Sequence, residues 1–469
     1  MKHTKILATV GPATKSVDKL QKLIDAGVNA FRVNCSHGEE KDFVEMANLI
    51  REASEDAEFP VGLLFDISGP KLRLDRFEGV IDIAEGESVT FVKSGTNVDK
   101  KVIAVNHPRI LSSVKFGERL MIDDGNLIFN ITLADSDQVE ARAINAGQLL
   151  PGKGINLPDT EIDIPTIGEK DKQDIETAVA VGADFIALSF VRSGDDIIEA
   201  RKLLRSLGGK QRIIAKLEKR EAIDDLDTIT LLADGVMVAR GDLGVELPPE
   251  ELPQLQKRII RLAHQHQRPV IVATQMLESM RFAPRATRAE INDVASAVFD
   301  YADAVMLSAE TATGDYPVEA VRTMTATIEA TEAAGERPSV VTDEPLAESI
   351  IPYTIAGAVS STEHFCCATV TLAWTSSGYT ARLISSLFPS HPVIALSSKE
   401  RVMNGLSLQR SVYSIRSKFP DTVDEMLTTV DRVVQEHNLA ESGDVITITG
   451  GLPLGSKTPT NFMMVRQVP

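Results

Sequence analysis

Eight times along this chain a short Val- and Ile-rich run ends in polar or glycine residues and gives way to a stretch of helical spacing. The apolar runs are residues 5–10, 30–34, 61–66, 185–190, 212–218, 235–239, 270–275 and 304–308. The helical stretches are residues 17–26, 41–53, 170–181, 195–207, 220–232, 249–266, 288–301 and 318–331. Continuous apolar runs suit strands buried on both faces, as in a parallel sheet covered by helices. Eight strand–helix units in order predict an α/β fold, a closed (β/α)8 barrel.

Two regions break the alternation. Residues 70–164 fall between the third strand and its helix. Short strands at 87–92, 101–105, 119–122, 127–133 and 139–144, joined by Gly, Asp and Asn turns, carry no helical periodicity. They read as an inserted all-β, barrel-like domain at the C-terminal end of the third strand. Barrel active sites lie on that face, so the insertion is placed to act as a lid. Residues 335–338, Gly-Glu-Arg-Pro, read as a linker. Beyond it, strands at 368–373, 393–396, 412–415, 444–449 and 462–468, with a helix at 422–437, predict a smaller α/β domain with a mostly parallel sheet. The expected organisation is a catalytic barrel of residues 1–69 and 165–337, a lid of 70–164, and a C-terminal domain of 338–469 with a candidate effector site.

Composition narrows the class of partner. Among 469 residues, 49 Lys and Arg face 67 Asp and Glu, a formal net charge of −18. That excess argues against binding to nucleic acid or to an anionic membrane surface, both of which need basic patches. An anionic substrate would have to be attracted by local cations or a metal. Cys35, Cys366 and Cys367 have neither zinc spacing nor the pattern of a disulfide framework, and they fit a reduced compartment. The N-terminal residues lack a signal-peptide core, and no run of 18 apolar residues occurs. A cytoplasmic location is expected.

If the barrel forms, its chemistry lies at the strand ends. The second strand ends Arg32-Val33-Asn34-Cys35-Ser36-His37, and alternation puts Arg32, Asn34 and Ser36 on one side. The fifth ends Lys216-Leu217-Glu218, with Lys216 and Glu218 on the same face. The sixth ends Arg240-Gly241-Asp242-Leu243-Gly244, the seventh Thr274-Gln275, and the eighth Ser308-Ala309-Glu310. Taken singly, each has an ordinary reading: Lys216 and Glu218 an interior ion pair, Asp242 a helix cap, Thr274 packing. Taken together at one rim, they suit phosphoryl transfer. Glu218 and Asp242 offer two hard oxygen donors for Mg²⁺ (or Mn²⁺). Arg32 offers a planar fork for phosphate, and Lys216 a point charge for a phosphoryl group in flight. The Gly241–Gly244 turn frees backbone N–H groups for a carboxylate.

At these residues the sequence resembles the pyruvate kinase family. The resemblance rests on Thr9-Val10-Gly11-Pro12, residues 32–38, Lys153-Gly154-Ile155-Asn156-Leu157-Pro158, Lys216-Leu217-Glu218, residues 237–244 and residues 273–280, and it covers nearly the whole chain. It implies transfer of phosphate from phosphoenolpyruvate to ADP, giving pyruvate and ATP. It implies a divalent metal on Glu218 and Asp242. Substrate would sit on Arg32, Lys216, Gly241, Asp242 and Thr274. Asn34, Ser36, His37, Arg73 and Lys153 would line the nucleotide side, with Lys153 reaching in from the lid. Thr274 and Ser308 are candidates for a proton relay to the enolate. The family is usually a homotetramer.

Departures from the family pattern carry expectations of their own. The K⁺ position would be formed by Asn34, Ser36, Asp66 and Ile67, and Ile67 can offer only its carbonyl. Lys71 stands where many members have Glu, which resembles the K⁺-independent branch. Its ammonium is expected to replace the cation, leaving K⁺ dispensable. Thr313 replaces a common Lys. The loop Thr375-Ser376-Ser377-Gly378-Tyr379-Thr380 matches a sugar-phosphate or nucleotide effector loop but has no Lys or Arg at Ser376 or Tyr379. The competing expectations are a metal-dependent oxo-acid lyase or aldolase on the same barrel, and a catalytically idle, ligand-sensing relative.

Overall fold

In a computed structural model, residues 1–95, 101–162, 164–334, 350–454 and 458–469 are described. The stretch 335–338, read as a linker, lies outside them, and so does the boundary drawn after residue 337. Eight strands close into the barrel: Lys5–Thr9, Ala30–Asn34, Gly62–Ile67, Phe185–Leu188, Arg212–Leu217, Gly235–Ala239, Val270–Ala273 and Ala304–Leu307. Each pairs in parallel with the next, and the first closes on the last with Lys5 opposite Ala304.

The two faces of each strand bury different partners. Phe31, Val33, Leu63 and Phe65 face the helical shell, while Leu7, Ala30, Leu64, Ile214, Met237 and Ile271 fill the barrel interior. Helix starts are fixed locally. Before Arg288–Phe299 the Thr287 hydroxyl accepts from the Glu290 N–H (3.2 Å), and the Glu290 carboxylate accepts from the Thr287 N–H (2.8 Å). That is a capping box, which satisfies two otherwise orphaned donors. The stretch 220–232 is two helices, Arg220–Asp224 and Leu226–Leu232. They part at Asp225, whose backbone leaves the helical region (φ −104°, ψ 25°) and whose carboxylate accepts from the Gly194 N–H.

The inserted region holds a six-stranded sheet in the order Ile155–Asn156, Arg119–Ile122, Leu127–Ala134, Gln138–Ala143, Ser88–Lys93, Val102–Val105, with a separate pair of Ile81–Ile83 and Gly147–Leu149. It has its own core around Phe91, Phe129 and Leu149, and one short helix, Arg109–Ser113, where none was expected. It touches the barrel at the sixth strand's loop: the Asn156 amide donates to Glu246 (3.2 Å). The C-terminal sheet runs Val412–Arg416, Val393–Ser397, Val370–Trp374, Val445–Gly450, Phe462–Gln467, parallel except for the last pair. Helices Ile350–Cys366, Tyr379–Ser385 and Glu400–Asn404 pack with it.

This third unit plugs the base of the barrel. Leu408 joins the interior apolar layer, and Ser407 Oγ lies 2.1 Å from where a Cβ on Gly62 would be, so only glycine fits there. The base is closed by packing, and the opposite rim is left for chemistry.

Candidate active site

Counting two residues onward from the interior layer places polar groups at the rim. Leu7 leads to Thr9, Ala30 to Arg32, Leu64 to Asp66 and Ile214 to Lys216. These side chains meet. Arg32 Nε donates to Asp66 at 2.7 Å, and Arg32 Nη1 to the Thr9 hydroxyl at 3.1 Å. Lys216 Nζ lies 3.1 Å from Asp66, 2.8 Å from Glu218 and 2.7 Å from Ser189 Oγ. Glu218 also accepts from the Phe190 N–H at 2.9 Å.

Burial and charge work against each other here. Asp66 and Glu218 are 2 % exposed and Lys216 9 %. Burial alone would strip the charge from Lys216, but Asp66 and Glu218 outweigh it and raise its pKa. Burial likewise pushes Asp66 toward protonation, yet Lys216 and Arg32 hold it below the usual carboxylate range. Glu218 is raised by burial and then by Asp242, despite Lys216. Asp242 is raised by burial and by Asp124. Two carboxylates that resist ionisation beside one another form a hard-oxygen donor pair that a divalent cation relieves.

The sixth and seventh strands supply the next part. Asp242 and Gly241 lie in the first turn of the helix Arg240–Glu246. The Gly241 N–H donates to Thr274 Oγ1 at 2.8 Å. Arg240 ties the two loops together, reaching Asp293 and the Thr274 carbonyl, each at 2.7 Å. Thr274 (φ 69°), Gln275 (φ 55°) and Phe190 (φ 56°) all adopt left-handed backbone. For a β-branched residue such as Thr274 this is strained, and strain of this kind collects where a site dictates side-chain direction. Beside them the buried Glu310 accepts from the Ser308 N–H (2.7 Å) and the Leu277 N–H (3.1 Å), fixing Ser308. Thr313 turns back onto its own helix, donating to the Ala309 carbonyl.

On the other side of the mouth, Lys71 Nζ donates to Ser36 Oγ at 2.8 Å, and Asn34 Oδ1 accepts from the Ser36 N–H at 3.1 Å. Burial lowers the Lys71 pKa, with Lys216 and Arg73 adding repulsion. His37 is exposed, and its pKa is lowered by partial burial, then by Lys71, Arg73 and Arg32. Ile67 is buried. Arg73 Nη1 holds the Gly152 carbonyl. Lys153 does not reach the barrel: it pairs with Asp123 of the insertion at 2.6 Å. Lys71, Arg73, Asn156, Arg192 and Asp242 border a cleft between barrel and insertion.

Sequence reasoning passed over Ser189 and Phe190, and named Glu310 only as part of the eighth strand's end, without a role. The alternation that found Lys216 also points Ser189 inward, two residues past Ala187. The backbone at Phe190 has no such signal. In the C-terminal unit, the loop before Tyr379–Ser385 turns through Gly378 (φ 81°). The Thr375 hydroxyl accepts from the Gly378 N–H (2.8 Å) and Ser377 Oγ from the Tyr379 N–H (3.4 Å), so the loop uses its own hydroxyls.

Comparison with known proteins gives a consistent result. Residues 1–321 match the family model "Pyruvate kinase, barrel domain", and residues 353–466 match "Pyruvate kinase, alpha/beta domain". A pyruvate kinase of Agrobacterium vitis is 41 % identical over all of this chain and 97 % of its own length. One of Geobacillus stearothermophilus is 39 % identical over all of this chain and 80 % of its own. The crystal structure of a pyruvate kinase from Cryptosporidium parvum superposes with a TM-score of 0.90 at 32 % identity, covering all of this chain and 96 % of the other.

Proposed function

Because the chain belongs to the pyruvate kinase family, and is thus a phosphotransferase acting on phosphoenolpyruvate and ADP, we propose that the rim described above performs the transfer. The observation that carries this reading is the Lys216 ammonium, held charged between Asp66 and Glu218 beside Arg32.

Arg32 binds the phosphoryl group of phosphoenolpyruvate. Lys216 balances the charge that spreads over the phosphoryl oxygens as the bond to the enolate oxygen loosens. Glu218 and Asp242 would hold Mg²⁺ (or Mn²⁺), which would supply Lewis-acid stabilisation of negative charge at the site. The Gly241 and Asp242 N–H groups and the Thr274 hydroxyl receive the substrate carboxylate, which takes the place of the Gly241–Thr274 hydrogen bond. Asn34, Ser36, His37, Arg73 and Lys153 line the nucleotide side, Lys153 once released from Asp123 by movement of the insertion. Thr274 and Ser308 relay the proton that converts enolate to pyruvate. Lys71, on Ser36, supplies the charge that K⁺ would otherwise bring to the position formed by Asn34, Ser36, Asp66 and Ile67, so K⁺ is dispensable.

A homotetramer in the cytoplasm is the expected assembly. Exposed Phe282 on the barrel and Phe365 on the C-terminal helix (70 % and 88 %) support contact surfaces on both units. No helix among the described residues is long and apolar enough to cross a membrane. The loop Thr375–Thr380 remains our candidate for a sugar-phosphate or nucleotide effector.

The test is pyruvate formation from phosphoenolpyruvate, followed with ADP, Mg²⁺ and K⁺ omitted in turn. Activity should vanish without ADP or Mg²⁺ and survive without K⁺. Pyruvate release without ADP would favour the lyase reading instead.

A further inference from the structure

The two loops that carry Glu218 and Asp242 are joined by an ion pair to which the transfer itself assigns no part. Lys219 directly follows Glu218. Glu246 closes the helix Arg240–Glu246, four residues and so about one turn beyond Asp242 on the same face. Lys219 Nζ meets Glu246 Oε1 at 2.5 Å, and the Glu246 side chain is buried.

The insertion reaches the same oxygen. Asn156 Nδ2 donates to Glu246 Oε1 at 3.2 Å. In the insertion sheet Ile155 lies opposite Ile122 and Asn156 opposite Met121, and the Asp123 N–H donates to the Gly154 carbonyl at 3.1 Å. The strand that leans on Glu246 therefore follows directly on Lys153, and its partner strand leads directly to the Asp123 that holds Lys153. A Cβ on Gly125 would lie 3.8 Å from Val245 Cγ1, so the turn after Asp123 packs beside the same barrel helix. Nearer the barrel, Arg192 donates to the Ile162 and Ile164 carbonyls (2.7 and 2.8 Å) and fixes where the chain re-enters it.

One buried carboxylate oxygen thus takes a donor from the fifth strand's loop and another from the insertion, while its own backbone belongs to the helix that bears Asp242. A buried carboxylate robbed of its cation is costly, so the link resists opening. Groups that orient metal donors matter nearly as much as the donors. We propose that Lys219, Glu246 and Asn156 are positioning residues. The Lys219–Glu246 pair sets the spacing of Glu218 and Asp242 for one divalent cation. Asn156 sets the seating of the insertion from which Lys153 reaches the nucleotide. Both parts rest on the assignment of Glu218 and Asp242 as the metal donors.

The first part is tested by titrating the full-length enzyme with Mn²⁺ in the absence of substrates, reading free Mn²⁺ by electron paramagnetic resonance. Lys219→Met should weaken Mn²⁺ about tenfold, the lower end of the cost of losing a group that orients metal ligands, and Lys219→Arg should restore it. The sign is decisive, because removing a cation near the site would by charge alone draw Mn²⁺ in more tightly. The double variant Lys219→Met/Glu246→Gln leaves no unpaired buried charge. It should keep Tm close to that of the wild type and still bind Mn²⁺ weakly, which separates lost spacing from misfolding. Asn156→Ala should leave Mn²⁺ affinity within about twofold and raise the KM for ADP about three- to tenfold, the scale of one hydrogen bond, with kcat little changed. Mn²⁺ binding at wild-type strength or tighter in Lys219→Met and in the double variant overturns the proposal and leaves the metal assignment standing. Wild-type Mn²⁺ binding that survives Asp242→Asn unchanged overturns the assignment and the proposal with it. An Asn156→Ala enzyme with an unaltered KM for ADP refutes the role given to Asn156.

Discussion

Replacing Lys71 by methionine isolates the role of one ammonium group. The side chain keeps its length and loses its charge and its 2.8 Å bond to Ser36 Oγ. A hydrogen bond made by a charged group contributes about 1.5–3 kcal/mol, which corresponds to a fall of about 10- to 150-fold in kcat/KM when no K⁺ is present. The fall should be largely reversed by K⁺, because Asn34, Ser36 and Asp66 remain to receive the ion. Lys71→Glu should make the requirement for K⁺ stricter still. The assay is pyruvate formation with K⁺ replaced by tetramethylammonium. Its pH profile adds a second reading. Burial, Lys216 and Arg73 all lower the Lys71 pKa, so its charge is lost as pH rises, at a lower pH than for a free lysine. K⁺-free activity of the wild type should fall on that alkaline limb, and K⁺ should restore it. A wild type stimulated more than tenfold by K⁺ at neutral pH refutes the reasoning, as does a Lys71→Met enzyme indifferent to K⁺.

Three further outcomes follow from the same structure. Lys216→Met should lower kcat by about a thousandfold or more, the scale of losing one charge-stabilising group, while metal titration still shows a site. Its Tm should also drop by the equivalent of about 3 kcal/mol, since Glu218 is left buried beside Asp66 without its cation. Asp66→Asn should lower kcat/KM by about 100-fold, because both Arg32 and Lys216 lose the carboxylate that orients them; a change under threefold would show that they are positioned without it. Lys5→Met should raise Tm at neutral pH: Lys5 Nζ is buried with no hydrogen-bond partner among the described residues, 3.2 Å above the Tyr413 ring, and burial, then Lys2, holds its folded pKa well below 10.5 against the pull of Glu332. Between that folded pKa and the unfolded one, only the unfolded chain holds the proton, so wild-type stability climbs with pH and the advantage of Lys5→Met, read by thermal melts, should shrink toward pH 10.

Much of this architecture is legible in the residues because it depends on local periodicity. The eight apolar runs end within one or two residues of the observed strands, since strands buried on both faces write themselves as continuous Val and Ile. Lys216 and Glu218 share a face because a strand repeats every two residues. What depends on long-range pairing was not legible. Ile155–Asn156 has too few residues to carry a pattern, and its partner Arg119–Ile122 lies over thirty positions away. The helix Ile350–Cys366 is rich in Ile, Val, Ser and Thr, which favour other states, and packing decides it. Lys153 was expected to reach across from the insertion, but Asp123 competes for it at 2.6 Å. The left-handed turn at Thr274 leaves no trace in composition, because it is imposed by Arg240 and Gly241 from the neighbouring strand.

The placement of Asp66 explains how an acidic chain can prepare a site for anions. A buried carboxylate that binds two cations does not cancel them; it holds Arg32 in place and keeps Lys216 charged where burial would otherwise neutralise it. The net charge of −18 is spread over the surface and screened by salt. The rim cations are shielded from that screening by the barrel wall. Local potential therefore follows the nearest groups and not the sum.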